Sequence, residues 1–357
     1  MASAELSSGR VSPILTEALI TAAAGNAGRR VVEVLPCHFN LSDASEFEGS
    51  FRTLPLDQIY GDKRAMGTGF LKQGNNAPAR DLTRERDFDT VAYACEAEAA
   101  KVFVGYRELK RTMNDRIAGI NLRTSRALQL MSTFRDVFEY DGLSAVFNTT
   151  NHQNATVAAL TDGAGVAWDS VGSSPAQDGG AVQDLIRAKT GGEAKWAVMT
   201  HDVLRSLQRH PETLEMVLKG DATKGVAMVA GKPRASAGAV LNAWREHWEL
   251  EELFVVKAMR NSANPGQAGV LAEMVTGKVA FHNSDAIKTA VQVEDNVDAL
   301  GGLCSIACIH EEQFVGREIP SDDPEGVWML GQRSYCWVTP GASAAVRPSY
   351  ILTSVNG

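Results

Sequence analysis

Two cysteines and a histidine lie close together near the C-terminal end of the chain. Three residues separate Cys304 from Cys308, and one residue separates Cys308 from His310. Structural zinc sites pair cysteines at such separations, and Cys336 could supply a fourth ligand. The residues around them are apolar, which suits buried free thiols equally well. We predict that no metal is bound here. If one is, Cys304, Cys308 and His310 are the candidate ligands, and the alternative function of the chain is that of a metal-dependent enzyme.

Other motifs that carry chemistry are missing from the sequence. The histidines have neither the His-x3-His nor the His-Glu-x2-His spacing of zinc enzymes, and there is no Gly-x4-Gly-Lys-Ser/Thr phosphate loop and no Gly-x-Ser-x-Gly elbow. Gly67-Thr68-Gly69 lacks the preceding apolar strand and the third glycine of a dinucleotide site. We therefore predict no catalytic residue, no cofactor and no enzymatic activity.

Basic residues are concentrated in the stretch from 101 to 126, against only Glu108 and Asp115. They are Lys101, Arg107, Lys110, Arg111, Arg116, Arg123 and Arg126. Such a group is typical of a solvated helix face or of pairing with acidic residues of another subunit. It also suits a face turned towards nucleic acid phosphates.

The overall composition is that of a globular protein that does not wrap nucleic acid. The chain has 357 residues, of which 44% are hydrophobic and 22% charged, and its net charge is −8. The five cysteines are scattered and odd in number, which favours reduced thiols. No apolar run is long enough to span a bilayer, and the N-terminus lacks the order of a signal peptide. We expect the chain to be made inside the cell and to have no membrane partner.

The first two segments of the chain contain few large apolar residues that could form a core. Residues 1 to about 35 are rich in alanine, serine and glycine and have little core of their own. Residues 50–90 contain many turn formers and few large apolar residues, which predicts a long two-stranded excursion. Such an excursion would be unstable alone, so it is either disordered or covered by a partner.

The chain then forms regular elements. Phe88 to Tyr93 is strand-like, and the apolar residues from Leu122 to Phe147 repeat mostly at spacings of three and four, which predicts a long helix with a face of Ala127, Met131, Phe134, Val137 and Phe138. Gly142 weakens that prediction near its end. Further strands are predicted at 253–256, 279–281, 335–338 and 350–353.

The segment from Trp168 to Lys219 predicts a compact helix, strand, helix, helix unit of an α+β domain. We expect Asp178 to cap its first helix and Thr200 to cap the second, because both side chains can accept a hydrogen bond from a backbone N–H. Pro211 suits the first position of the third helix.

These landmarks together resemble the major capsid proteins of tailed bacteriophages. Trp168-Asp169 before Ser173-Ser174-Pro175, the strand ending in Val198-Met199, and His210-Pro211 follow the order of that family. So do Leu253 to Ala258 with the asparagine-rich turn 261–266, and Gly277-Lys278 before Val279 to Phe281. The similarity covers roughly residues 50 to 285.

The resemblance implies the α+β fold shared by tailed-phage and herpesvirus major capsid proteins. Residues 1–44 would be an N-terminal arm, 45–100 an extended β-hairpin loop lying over a neighbouring subunit, and 101–180 a peripheral domain with a spine helix at 121–147. Residues 181–330 would form the axial domain, and 331–357 would return to the peripheral domain as strands.

The implied function is to self-assemble, as hexamers and pentamers, into the icosahedral head that encloses double-stranded DNA. The nearest alternative is an encapsulin-like shell. The implied location is the virion, after synthesis in the host bacterial cytoplasm. Implied partners are the portal, scaffolding and decoration or cement proteins, and packaged DNA through non-specific contact. Candidate intersubunit residues are Lys63, Arg64, Phe70 and Lys72, and candidate DNA-proximal residues are Arg116, Arg123 and Arg126.

Overall fold

The computed structural model describes residues 10–11, 30–40, 48–53, 89–108, 110, 122–160, 162–190, 192–219, 226–229, 232–261, 270–283, 299–300, 305–322, 324–339 and 349–356. The chain divides into two compact units. The first unit consists of 1–48, 94–142 and 308–337, and the second of 49–93, 143–307 and 338–357.

Helices and strands alternate along the chain. The helices are α1 (Leu122–Val146), α2 (Pro175–Thr190), α3 (His201–Leu207), α4 (Pro211–Lys219) and α5 (Ala237–His247), with 3₁₀ turns at Val32–Val34 and Val157–Ala159. The strands are β1 (Arg10–Val11), β2 (His38–Asn40), β3 (Glu48–Thr53), β4 (Asp89–Ala94), β5 (Glu96–Gly105), β6 (Gln153–Thr156), β7 (Trp196–Thr200), β8 (Val226–Val229), β9 (Lys232–Ala235), β10 (Glu252–Val256), β11 (Met259–Asn261), β12 (Leu271–Glu273), β13 (Val279–His282), β14 (Ala299–Leu300), β15 (Ala307–Asp322), β16 (Glu325–Val338) and β17 (Ser349–Thr353).

The first unit contains a sheet with the strand order β1-β15-β16-β5, in which β2 also pairs with β15. Strands β5 and β16 are antiparallel from Gly105 opposite Gly326 to Glu96 opposite Tyr335. The short strands β1 and β2 both come from the predicted N-terminal arm, and both take their hydrogen bonds from β15. Strand pairing with β15 therefore holds β1 and β2, whereas Val32, Leu35 and Cys37 of the same arm are buried.

Helix α1 confirms the predicted helix and most of its apolar face. Ala127, Met131, Phe134 and Phe138 are buried, but Val137 is 38% exposed and Leu130 is buried instead. Gly142 does not end the helix. A Cβ atom added there would lie 2.8 Å from Trp337 and closer still to Val32, so the glycine allows close packing at that point.

The second unit contains a sheet with the order β10-β7-β13-β17-β6. Strand β7 is parallel to β10 and antiparallel to β13, and both β7 and β13 are buried along their whole length. This explains why their sequences, WAVMT and VAFH, do not alternate between apolar and polar residues. The core around the sheet includes residues of α2 to α5 and the buried side chains of Trp168, Trp244 and Trp248.

The predicted helix starts in the second unit are partly confirmed. Pro211 is the first residue of α4, as expected. Asp178 does not cap α2, because that helix begins three residues earlier, at Pro175, and Asp178 lies in its first turn. Thr200 occupies the N-cap position of α3, but its hydroxyl makes no cap hydrogen bond and instead lies 3.3 Å from the carbonyl of Lys278.

The base of the predicted excursion is present as paired strands. In a separate sheet with the order β14-β3-β4, β3 and β4 are neighbours. Residues 54–88, which connect them, lie outside the described part of the chain.

The compact units divide the chain at other residues than the predicted domain boundaries. Residues 308–337 group with 94–142, because β16 pairs with β5 over ten residue pairs. Strand β17, predicted to return to the peripheral domain, is hydrogen-bonded between β13 and β6 of the second unit.

Candidate functional site

The predicted metal candidate is part of a cluster of polar side chains in the first unit. Cys308 and His310 lie two residues apart on β15 and therefore share a face of the sheet. The pairing of β2 with β15 places His38 opposite Cys308. His38 Nδ1 lies 2.8 Å from His310 Nε2, and Cys308 Sγ lies 3.3 Å from that same nitrogen. The structure thus adds His38 to Cys308 and His310, two members of the predicted set of Cys304, Cys308 and His310 with Cys336 as a possible fourth ligand.

The hydrogen bonds of this cluster define its protonation. His38 Nε2 lies 2.6 Å from the carbonyl oxygen of Val32, which can only accept, so Nε2 carries the proton. Nδ1 of a neutral His38 is then an acceptor, and His310 Nε2 must donate to it. Burial lowers the pKa of both rings, that of His310 to about 3, and burial raises the pKa of the Cys308 thiol. All three groups are therefore uncharged at neutral pH.

The distances fit a hydrogen bond better than a shared metal ion. Two imidazole nitrogens bound to one tetrahedral zinc would lie about 3.3 Å apart, given Zn–N bonds of about 2.0–2.1 Å. The observed 2.8 Å is a normal hydrogen-bond length. Arg333 also lies in this part of the first unit, with its guanidinium 3.5 Å from the ring centre of Phe138, and its charge lowers the pKa of both histidines. A nearby cation opposes a second one.

The other predicted metal ligands are not part of the described cluster. Cys336 Sγ lies 3.6 Å from the Sγ of Cys95, which directly precedes β5. Cys304 lies outside the described residues. Neither His38 nor Cys95 could be found from sequence spacing, because strand pairing brings both of them to these positions.

A serine, a histidine and a glutamate in the second unit have the residue types of a hydrolase triad but not its geometry. Ser173 Oγ lies 3.0 Å from His210 Nε2. His210 Nδ1, however, accepts a hydrogen bond from the backbone N–H of Glu212 at 3.3 Å. His210 Nε2 must then carry the proton, so it cannot remove one from Ser173. The Glu212 carboxylate instead accepts from Ser174 and from the backbone N–H of Ala176.

The same network explains why the segment from Trp168 to Pro175 is so distinctive in the sequence. Trp168 donates from its backbone N–H to Val355 at 2.7 Å and from its indole to the buried Asp178 at 2.7 Å. Ser173 and Ser174 fix the start of α4 through His210 and Glu212. These hydrogen bonds connect the segment from Trp168 to Ser174 with α2, with the start of α4 and with Val355, all within the second unit.

The N-terminal segment is tied to α1 in the first unit by charged groups. Glu139 accepts from the backbone N–H groups of Val31 and Val32, both at 3.0 Å. Arg30 pairs with Asp136, and Glu33 pairs with Arg135 at 3.0 Å. Burial raises the pKa of Glu139 to about 7, against the opposing effect of the two backbone N–H groups.

Two of the three candidate DNA-proximal residues lie on the first turns of α1. Arg123 is exposed, and Arg126 is half-buried and donates to Gln129 at 3.0 Å. Lys101, from the same basic group, lies over the ring of Trp328 at 4.8 Å. Arg116 lies outside the described residues, as do the candidate intersubunit residues Lys63, Arg64, Phe70 and Lys72.

One surface feature was not predicted from the sequence. Strands β11 and β12 pair only with each other among the described strands, and three apolar side chains on or beside them are exposed. Met259 is 50% exposed, Val270 57% and Leu271 69%.

In the described part of the chain, no helix is both long and apolar enough to cross a membrane.

Comparison with solved structures gives the fold. A phage-related protein from Bordetella bronchiseptica aligns over 98% of this chain and 98% of its own, with 14% identity and a TM-score of 0.62. A virus-like particle from Pyrococcus furiosus aligns over 95% of this chain and 97% of its own, with 11% identity and a TM-score of 0.51. No protein-family model matches the sequence, and no curated protein is similar to it. The chain has the α+β fold of the tailed-phage major capsid proteins, as the resemblance predicted.

Proposed function

We propose that this chain is a shell-forming protein, and specifically the major capsid protein of a tailed bacteriophage. Its copies would form pentamers and hexamers that close into an icosahedral head around double-stranded DNA. The observation that carries the proposal is the likeness to the phage-related protein, which extends over nearly the whole of both chains rather than over one shared domain.

The way the terminal segment is held supports an assembling protein. Strands β1 and β2 contribute only two and three residues to their sheet. Two paired residues hold β1 weakly, and additional contacts with other subunits would stabilise it. The long excursion that begins at β3 and ends at β4 has few apolar residues to bury and would be covered in the same way.

Exposed apolar side chains on β11 and β12 are the described surface that best suits contact between subunits. Monomeric proteins expose single apolar residues commonly, but several on or beside one small sheet are typical of an interface. In the proposal, Met259, Val270 and Leu271 lie against another copy of this chain.

The charge of the chain fits a shell that contains DNA without binding it tightly. A net charge of −8 repels phosphates overall. Arg123 and Arg126 would give local, non-specific contacts, and the predicted Arg116 would extend them. In this proposal the chain is not an enzyme. Synthesis would take place in the host cytoplasm, and the portal, scaffolding and cement proteins would be partners in the virion.

Electron microscopy of the purified full-length protein, combined with its mass by light scattering, tests the proposal. The expected result is closed shells, or rings of five and six copies. A small oligomer that stays small when a candidate scaffold is co-expressed would contradict shell formation.

The contents of the particles distinguish the phage-head proposal from the encapsulin-like alternative. Shells purified from infected or induced cells should contain double-stranded DNA of genome length if the phage proposal is right. Shells that contain a single cargo enzyme and no DNA would replace it with the encapsulin-like function.

A further inference from the structure

Two cysteines in the first unit lie close together where the pairing of β5 with β16 ends. The antiparallel register of β5 and β16 ends with Glu96 opposite Tyr335. Cys95 directly precedes β5, and Cys336 directly follows Tyr335 on β16. Their Sγ atoms lie 3.6 Å apart. We propose that Cys95 and Cys336 are a site of reversible oxidation, at which a disulfide such as oxidised glutathione converts the two thiols into a cross-strand disulfide.

The geometry requires little movement. A disulfide has an S–S bond of about 2.05 Å and joins residues whose Cα atoms lie about 4.4–6.8 Å apart, which includes the spacing of residues directly opposite each other in an antiparallel pair. The sulfur atoms must approach by about 1.5 Å, which rotation of the side chains about χ1 can supply. The strands can therefore stay in place.

The reaction balances as two thiol–disulfide exchanges. The Cys336 thiolate attacks one sulfur of oxidised glutathione, so a mixed disulfide forms and one glutathione leaves as a thiolate that takes up a proton. The Cys95 thiolate then attacks the Cys336 sulfur, which releases the second glutathione. Two cysteine thiols are oxidised, one glutathione disulfide is reduced, and the two protons lost by the cysteines end on the two glutathione thiols.

Accessibility makes the pair selective among the described thiols. Cys336 is half-buried, so a small oxidant can reach it, while Cys95 is 6% exposed and its Sγ lies 3.6 Å from that of Cys336. Cys37 and Cys308 are completely buried, which protects them from the first exchange. Burial raises the pKa of Cys336, which makes the exchange slow near neutral pH and faster as pH rises.

The disulfide would link the start of one segment of the first unit to the end of another. Cys95 is the second residue of the segment 94–142, and Cys336 is the last but one of 308–337. The cross-link would close a loop between residues 241 apart in sequence, and closing so long a loop restricts the unfolded chain strongly. This inference rests on the first unit alone and does not depend on the proposed function.

The test uses the full-length protein, reduced and then incubated with oxidised glutathione at pH 8. We expect two of the five thiols to be lost, a linked peptide containing Cys95 and Cys336, and a rise in Tm that dithiothreitol reverses. Cys336→Ser should prevent the loss, and Cys37→Ser, a matched control at a completely buried position, should still form the link. The proposal is overturned if the wild-type protein keeps all its thiols, if Cys336 stops at a stable glutathione adduct, or if the bonds formed join different chains.

Discussion

The indole Nε1 of Trp168 donates a hydrogen bond of 2.7 Å to the carboxylate of Asp178, and both side chains are completely buried. The second carboxylate oxygen accepts from the backbone N–H of Ala164, also at 2.7 Å. A buried carboxylate is costly unless donors surround it. Here one acidic residue on α2 satisfies two donors from the loop before it, and in this way joins the loop to the helix.

Replacing the Asp178 carboxylate should destabilise the second unit more than replacing a neighbouring side chain on the same helix. Asp178→Ala leaves the buried Trp168 donor and the half-buried Ala164 donor without acceptors, and we expect a loss of about 3 kcal/mol in the free energy of unfolding. Gln177→Ala, one residue earlier on the same helix, removes an exposed hydrogen bond to Asp162 and should cost less than about 0.5 kcal/mol. Urea unfolding of the unassembled chain measures both. Equal losses in the two variants would show that the network contributes nothing.

Asp178 also shows what the sequence could and could not predict. The helix periodicity of α1 and the strands β7, β10 and β13 depend on local patterns, and the predictions there agree with the structure. The residue type of Asp178 and its position before an apolar run predict a helix cap. Its actual partners are 10 and 14 residues away, and no local pattern specifies such contacts. His38 joined Cys308 and His310 for the same reason, since strand pairing across the chain sets their proximity.

The glycine after Asp178 provides a steric test of how α2 packs. A Cβ atom at Gly179 would overlap the indole of the buried Trp248, whereas a Cβ at Gly180 would meet no atom within 4 Å. Gly179→Ala should therefore destabilise the protein by about 2 kcal/mol through overpacking. Gly180→Ala should stabilise it by about 0.5–1 kcal/mol through helix propensity. Thermal unfolding of both variants distinguishes the two effects, and a stabilising Gly179→Ala would contradict the close helix–tryptophan contact.

The raised pKa of Glu139 predicts how the stability of the protein changes with pH. Burial raises its pKa from 4.5 to about 7 in the folded protein, so the folded chain holds a proton that the unfolded chain releases. The stability due to this group is complete below pH 4.5 and is lost as pH rises to about 7, by about 3 kcal/mol in total. The pKa values of His38, His210, His282 and His310 are lowered, which gives the opposite slope below pH 6.5.

The contribution of Glu139 is isolated by comparing two proteins across that window. Urea unfolding of the wild type and of Glu139→Gln, from pH 4.5 to 7.5, should give a stability difference that favours the wild type most at the acidic end. The histidine contributions are common to both proteins and cancel. A difference that does not change with pH would mean that Glu139 is ionised throughout.

The cysteine–histidine cluster predicts how the protein responds to loss of one thiol. If Cys308 belongs to a hydrogen-bonded core, Cys308→Ala costs about 1–2 kcal/mol of stability through the cavity left behind. Extensive dialysis against a chelator should leave Tm unchanged. Zinc or iron measured at one atom per chain, and a fall in Tm on its removal, would instead favour the metal-dependent enzyme.

Removal of the tip of the excursion tests the assembly proposal directly. Residues 61–79 lie outside the described part of the chain, between β3 and β4, and we propose that they cover a neighbouring subunit. Deleting Gly61 to Ala79 should abolish shells in electron micrographs, because the contact between subunits is lost while the core of the second unit lies elsewhere, around Trp168 and Trp244. The near-ultraviolet circular dichroism of the buried tryptophans should therefore remain. Leu271→Ser, at a 69% exposed position, should likewise weaken assembly without changing that signal. Shells of normal size formed by the deletion variant would show that the excursion is not the extended loop of a capsid protein.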